Sequence, residues 1–400
     1  MRFATLSVLL ALTGTGCGPG PDIGPSEDTD ASVDADGDGF GANSGDCDDT
    51  NPAIFPTAPD PYGDEVDSNC DQVDGEDLDR DGYAGVASGG ADCEDDNNLI
   101  NPAAEDVGWD GRDENCDGFD RLDWKMTAAG ESHTCGLSTL DLISCWGDDD
   151  LGQVSEVPTG TFRSIDAGMN FNCAIRTDQS VVCWGDDEDG QVSGAPTGTF
   201  QLVSAGHEHA CAIDLEGAAT CWGADAADQV SGTPPGEFRH ISAGGAHTCG
   251  VTDPEGQVLC WGNDDDTQVS LAPSLPGYLS VAAGDSHNCG IRGDLGMFCW
   301  GDNSFGQNNP ASDAGPFGTP DGNNNHTCVI ENGNFPRCWG NNNDGQLYVP
   351  EGTYKEIAAG WSHSCAVKST DATMVCWGEG GRGQTDVPVA PISGTTTPGT

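Results

Sequence analysis

The chain has 400 residues, 67 of them acidic and 13 basic, for a formal net charge of −54. A surface that negative repels nucleic acid and anionic lipid, which excludes both as partners unless cations bridge them. Only 36% of residues are hydrophobic and 59 are glycine, which favours a loop-rich all-β protein over a helical one.

Residues 1–17, MRFATLSVLLALTGTGC, combine one basic residue, an apolar stretch from Phe3 to Leu12, small residues and then Cys17. They resemble a bacterial lipoprotein signal, although Gly14 stands where a Leu is usual. The resemblance implies that Cys17 is lipidated and becomes the mature N-terminus. Ordinary cleavage near Gly16, leaving a spare thiol, is the alternative. The apolar stretch is too short to span a bilayer, and no later segment is apolar enough to try. The expected location is the outer membrane or cell surface, lipid-anchored, or otherwise secreted, with the membrane touched only through the anchor. Nineteen cysteines suit such an oxidising compartment. Residues 18–33, rich in Pro, Gly and acid, read as a flexible linker.

Residues 34–120 hold two copies of an acidic unit. Between Pro21 and Asp120 lie 31 acidic residues and two basic ones, Arg80 and Arg112, too much charge to collapse unaided around so few apolar side chains. Asp34, Asp36 and Asp38 precede Gly39, and Asp77, Asp79 and Asp81 precede Gly82. In such a D-x-D-x-D-G run, alternate carboxylates converge on one hard cation and the glycine permits the turn. Gly45 and Ser88 occupy the twelfth positions, where an EF-hand needs Glu, and no helical period flanks either loop. The clusters Asp46, Asp48, Asp49 and Asp92, Asp95, Asp96 are expected to complete the two shells, with Ca²⁺ favoured because every ligand is an oxygen. The simplest disulfides are Cys47 with Cys70 and Cys93 with Cys116. The GDCDD and D-x-N-C-D signatures resemble the metal-binding repeat of bacterial surface proteins and are reminiscent of thrombospondin calcium repeats. A solvated acidic linker stapled by disulfides is the alternative.

Residues 121–388 repeat seven times. Cys-Trp-Gly recurs at Cys145, Cys183, Cys221, Cys260, Cys299, Cys338 and Cys376, every 38 or 39 residues. Upstream cysteines keep step at Cys135, Cys173, Cys211, Cys249, Cys289, Cys328 and Cys365. A His stands two residues before each of these, except in the second unit, which has Phe171. Each unit reads as one strand followed by a hairpin. Cysteines opposite one another in that hairpin lie about 4.5 to 5.5 Å apart at Cα, within reach of a disulfide. With two pairs in the acidic segment, this accounts for every cysteine but Cys17. Oxidised pairs have no thiolate to ligate zinc, and C-x₉-C is not a zinc spacing. The Trp series, set diagonal to small residues such as Gly136, is expected to pack adjacent units. Such units cannot bury their faces alone and must stack.

The G-x-x-H, W-G-[DN]-[DN] and G-Q elements, clearest in CWGDNSFGQ at Cys299 to Gln307, resemble the regulator-of-chromosome-condensation repeat. The short period is similar to that of the secreted β-lactamase inhibitor protein II. The resemblance implies a seven-bladed β-propeller of short disulfide-stapled repeats, following the loop-rich acidic metal-binding segment. Pro320 and Asn323 mark the sixth blade as the weak one, and residues 389–400 are expected to be a flexible tail. The nucleotide-exchange role of chromatin-bound members is excluded by the acidity and the signal.

The repeats show no nucleophile elbow, phosphate-binding loop or isolated carboxylate pair, so the expectation is a non-enzymatic binding protein. Its candidate surface is the loop face carrying Asp148, Asp149, Asp186 and Asp187 with Met169, Phe171 and Trp361, for a protein or a cationic ligand. On the bland account these aspartates only form turns and aid solubility. An inhibitor of a secreted or periplasmic enzyme is one alternative. A hydrolase or lyase is another, and needs a blade-specific cluster of acids and bases facing one pocket.

Overall fold

The computed structural model describes residues 34–107, 112–294, 296–310, 317–388 and 390–391. Residues 1–33, on which the expected leader, Cys17 and the expected linker fall, lie outside the described residues. The chain divides into two compact units between Ala104 and Glu105, which puts the end of the second acidic repeat in the unit that holds the propeller.

The first unit is built almost wholly of turns, with one short 3₁₀ segment at Ala42–Ser44. Its aspartates replace regular secondary structure by accepting main-chain N–H groups. Asp34 accepts from Gly37 and Gly39, and Asp77 repeats this with Arg80 and Gly82. Phe40 stacks on Phe55 with ring centroids 5.6 Å apart, and a disulfide joins Cys47 to Cys70. Cys93 and Cys116 are also disulfide-bonded.

The second unit contains seven three-stranded antiparallel sheets, the blades, in chain order. Blade 1 comprises Trp124–Ala129, His133–Ser138 and Ile143–Gly147. The inner strands of blades 2, 3, 4, 5 and 7 are Phe162–Ala167, Phe200–Ala205, Phe238–Ala243, Tyr278–Ala283 and Tyr354–Ala359. In blade 6 the inner strand shrinks to Asp321–Asn323, directly after Pro320, which has no N–H to donate to a ladder.

Cysteines face each other in every hairpin, Cys135 opposite Cys145 and so on round the ring. Their Cα atoms lie 4.0 to 4.1 Å apart, closer than expected. Ser138 N–H donates to Leu142, and alternation along the ladder then makes Cys135–Cys145 a non-hydrogen-bonded pair, the closer kind.

Packing between blades is the same at each joint. Trp184 of blade 2 sits in one cluster with Cys135 and Leu137 of blade 1, and its Nε1–H donates to the Gln153 carbonyl at 3.1 Å. The side chain of Gln153 is fully buried and accepts from Leu151 N–H, which holds the loop so that its carbonyl faces the next blade. That explains the recurring G-Q element. The small residue diagonal to each Trp has a further role. A Cβ on Gly136 would strike the Trp124 ring, and one on Gly250 the Phe238 ring, so the gap admits the aromatic that opens the inner strand.

The repeat histidines are fully buried and reach the next blade. His133 Nε2 meets Asn172 Oδ1 at 2.9 Å, His209 meets Thr248 at 2.8 Å, and His363 meets Thr134 at 2.8 Å. Burial holds His133 down at about 4 and His363 at about 3, which keeps both neutral. The His363–Thr134 bond links blade 7 to blade 1, as do Trp361 N–H to Gly130 O and Trp146 Nε1–H to Gln384 O. Ala390–Pro391, at the start of the expected tail, pairs antiparallel with Phe119–Asp120 ahead of blade 1.

Candidate functional site

Two candidate metal loops stand out for the division of labour between carboxylate oxygens. In Asp36, Asp38 and Asp46, Oδ1 accepts an N–H two residues ahead. In Asp79 and Asp92 it does the same. The Oδ2 atom of each of these five is buried with no hydrogen-bond partner. One oxygen builds the loop and the other is left for a cation, since an unpaired buried oxygen is costly. Asp34, Asp36 and Asp38 bring carboxylate oxygens within 4.8 Å of one another, as do Asp77, Asp79 and Asp81. Burial, with the charges of Asp38, Asp46 and Asp34, raises the Asp36 carboxyl above its ordinary range. Burial likewise raises Asp79, with Asp81 and Asp77, and Asp92, with Asp81, Asp79 and Asp95. Asp46 and Asp92 thus lie beside their loops.

The other expected ligands have visible structural work. Asp49 accepts from Ala35 N–H and Asp95 from Leu78 N–H, each latching its loop in place, and Asp48 caps Thr50. Asp96 has no resolved role. A further cluster, Asp60, Asp67 and Asp71, lies in the first unit beyond the motif read from sequence.

On the loop face the aspartates are turn residues first. Asp149 Oδ1 accepts from Val154 and Ser155, and Asp187 Oδ1 from Val192 and Ser193, all at 3.0 Å or less. These N–H groups hold both carboxyls below the ordinary range. Asp148 pairs with Arg382 at 2.7 Å, and Asp186 accepts from Glu188 N–H. Phe171, expected as a contact on this face, is instead fully buried at the repeat-His position and offers nothing to a ligand. Trp361 packs against His207 in a tilted arrangement with centroids 5.1 Å apart, and His207 Nδ1 lies 3.7 Å from Asp285 Oδ1, so blades 3, 5 and 7 meet at this mouth.

Sequence reasoning missed the central cavity of about 530 Å³, lined by the inner strands. Of the residues opposite the first cysteines, Asp166, Ser204, Ser242, Asp321 and Ala128 line it, and Ala282 and Ala358 hold the equivalent positions in blades 5 and 7. One ladder step away stand His240 and Glu356, equivalent to Met126 and Leu202. Asp166 accepts from Ala167 and Ala205 N–H, both at 2.9 Å, and Asp321 from Gly322 and Ala359. Burial and the Asp321 charge raise Asp166 to about 7. Burial raises Asp321 to about 6, and burial with Asp321 raises Glu356 to about 7. The repeats therefore do contain interacting carboxylates, contrary to expectation. The legible signal was their departure from Ala or Ser at matched positions.

The Regulator of chromosome condensation (RCC1) repeat matches residues 162–191, 238–268, 279–307 and 354–384, which are blades 2, 4, 5 and 7. A Cu-binding MopE metal-binding motif matches residues 46–76 and 92–120. The chain is similar to the CRINKLY WD40 ectodomain of the Arabidopsis thaliana receptor kinase ACR4, at 24% identity over 68% of this chain and 99% of that one, with a TM-score of 0.56. It is also similar to the ectodomain of the Physcomitrella patens receptor kinase CR4, at 23% identity over 64% and 74% of the two chains, again at 0.56. For Prp20p of Saccharomyces cerevisiae the values are 17%, 68%, 77% and 0.41. At these identities the likeness to the two receptor-kinase ectodomains is one of fold. No curated protein sequence matches. The chain thus carries RCC1 repeats folded as an all-β propeller, preceded by a MopE-type metal-binding motif, a combination that suggests a role in binding or recognition.

Proposed function

We propose that this is a non-enzymatic, lipid-anchored binding protein of the cell surface, stabilised by calcium, that recognises a protein or cationic ligand through its propeller loops. The observation that carries the metal reading is the set of five orphaned Oδ2 atoms in Asp36, Asp38, Asp46, Asp79 and Asp92. Residues 34–118 contain no His or Met, and the cysteines there are disulfide-bonded, so no soft ligand is on offer. That favours Ca²⁺ over copper. Binding Ca²⁺ would offset the mutual repulsion of each loop in the folded state alone.

The ligand reading rests on the loop face, where turn-forming aspartates leave a dense negative field for a cationic partner. Replacing Asp148, Asp149, Asp186 and Asp187 together with Asn keeps an acceptor oxygen for each turn and removes charge. A partner captured from intact cells in calcium should bind this variant more weakly and with a shallower salt dependence. Unchanged affinity and salt response would leave the aspartates as turn formers only. Anchoring is checked separately by labelled fatty acid, which wild type should incorporate and Cys17→Ser should not. Inhibition of a secreted or periplasmic enzyme is a special case of the same reading. A hydrolase or lyase would use the lumen acids instead; main-chain amides fix both oxygens of Asp166 and Asp321 in place and leave each one lone pair, which suits holding a cation.

A further inference from the structure

The lumen acids are not required by the propeller. At the position of Asp166 and Asp321 three blades manage with alanine, and Ser204 and Ser242 accept the next blade's N–H without charge. Glu356 pairs in the ladder with Val367, but its carboxylate has no hydrogen-bond partner among the described residues. Negative charge is therefore placed here beyond what the fold uses.

We propose that this lumen binds a small organic cation, an amine whose ammonium group is held by Asp166, Asp321 and Glu356 and whose apolar body lies against Met126 and Leu202. Independent of the acids, His240 lines the same cavity, and its Nδ1 is buried without a hydrogen-bond partner. Burial keeps the ring neutral, so it retains a nitrogen lone pair that can accept from an ammonium. His207, nearer the mouth, has a buried, unpartnered Nε2 as well. Among the described residues lining the cavity, Lys355 is the only Lys or Arg, and it is solvent-exposed. An ammonium has donors and no acceptor, and so complements carboxylates and a neutral imidazole. The volume falls within the range of small-molecule sites, about 300 to 1,000 Å³. The raised carboxyls fit the same picture, because a bound cation would return them to the charged form.

The test is calorimetric titration of the full chain, with calcium present, using benzylamine and putrescine as probes at about 0.3 M salt, where exposed carboxylates are screened. One saturable site per chain is expected. Glu356→Gln and Leu202→Trp, the first removing charge and the second filling the lumen, should each weaken it by about tenfold or more. The loop variant with Asn at 148, 149, 186 and 187 should bind as wild type does, which separates this site from the loop face. No saturable binding, or equal binding by the two lumen variants, overturns the proposal. If those variants do not fold, the wild-type His240 imidazole resonances decide: they should move on adding benzylamine, and unmoved resonances overturn it.

Discussion

Trp146 Nε1–H donates to the main-chain carbonyl of Gln384 at 3.0 Å, across 238 residues of sequence. The same bond joins each Trp to the Gln of the blade before it, so the last blade meets the first by the contact that joins all others. Thr134 Oγ1–H donates to that carbonyl as well, at 2.9 Å. Removing residues 381–400 should therefore open the ring at one joint and lower the thermal midpoint. Trp146→Phe, which removes the donor and also leaves a gap in the cluster with Leu122, Trp124 and Val367, should cost more than the roughly 1 kcal/mol of a lost hydrogen bond. Thermal unfolding followed by circular dichroism compares the two; equal midpoints for all three proteins would show that the joint contributes no stability.

Blade 2 breaks the histidine series, and blade 3 answers it. Phe171 has no donor, and the position that would receive one is Ala210, where the other joints have Asn172, Thr248, Asn288, Thr327, Ser364 or Thr134. Phe171→His alone would bury an imidazole facing a methyl group and should destabilise by about 1 to 3 kcal/mol. Adding Ala210→Thr should recover most of that loss. A double-mutant cycle by denaturant unfolding reads the coupling; additive effects would deny the pairing.

Acid should unfold the propeller through these histidines. Burial holds His133 and His326 at about 4, and His209, His287 and His363 at about 3, against an ordinary value of 6.5. Between those values the unfolded chain binds protons that the native one does not, so stability falls as pH drops from about 6.5 toward 4. Asp166, Asp321 and Glu356 act oppositely, because their raised values make the native state the better proton binder from about 7 down to their unfolded values. The histidines outnumber them. His133→Gln, which can still donate to Asn172, should flatten the loss of stability on acidification. Urea midpoints at neutral pH and at about pH 4.5 measure it; parallel pH profiles would contradict the assignment.

Chelation should loosen the acidic loops while the propeller persists, since their orphaned oxygens lose the cation that offsets them. Amide exchange at Asp34 to Asp38 and Asp77 to Asp81 should quicken on adding chelator, with blade amides unchanged. Exchange in those loops that ignores chelator would remove metal from the account.

Oxidation should leave at most one free thiol. Alkylation of the mature protein under non-reducing conditions followed by intact mass should show no modification beyond Cys17. Each hairpin disulfide closes a short loop and should contribute about 2 to 4 kcal/mol.

Period and pairing were legible in the sequence because they are local. Nine or ten residues between cysteines fix a hairpin register within one unit, and the alternation of Ile165 and Ala167 about Asp166 fixes which face each side chain takes. D-x-D-x-D-G was legible for the same reason: its oxygens come from one turn. What lay on the far side of each face was not. Asp166, His240, Asp321 and Glu356 are distant in sequence and come together only because seven inner strands enclose one axis. Phe171 read as a loop residue until stacking placed it over the next blade, where the fit of its ring to Ala210 is decided by two units at once. Contacts within a unit follow from chain geometry, whereas contacts between units depend on how the stacked blades are rotated, and that rotation is a property of the closed ring.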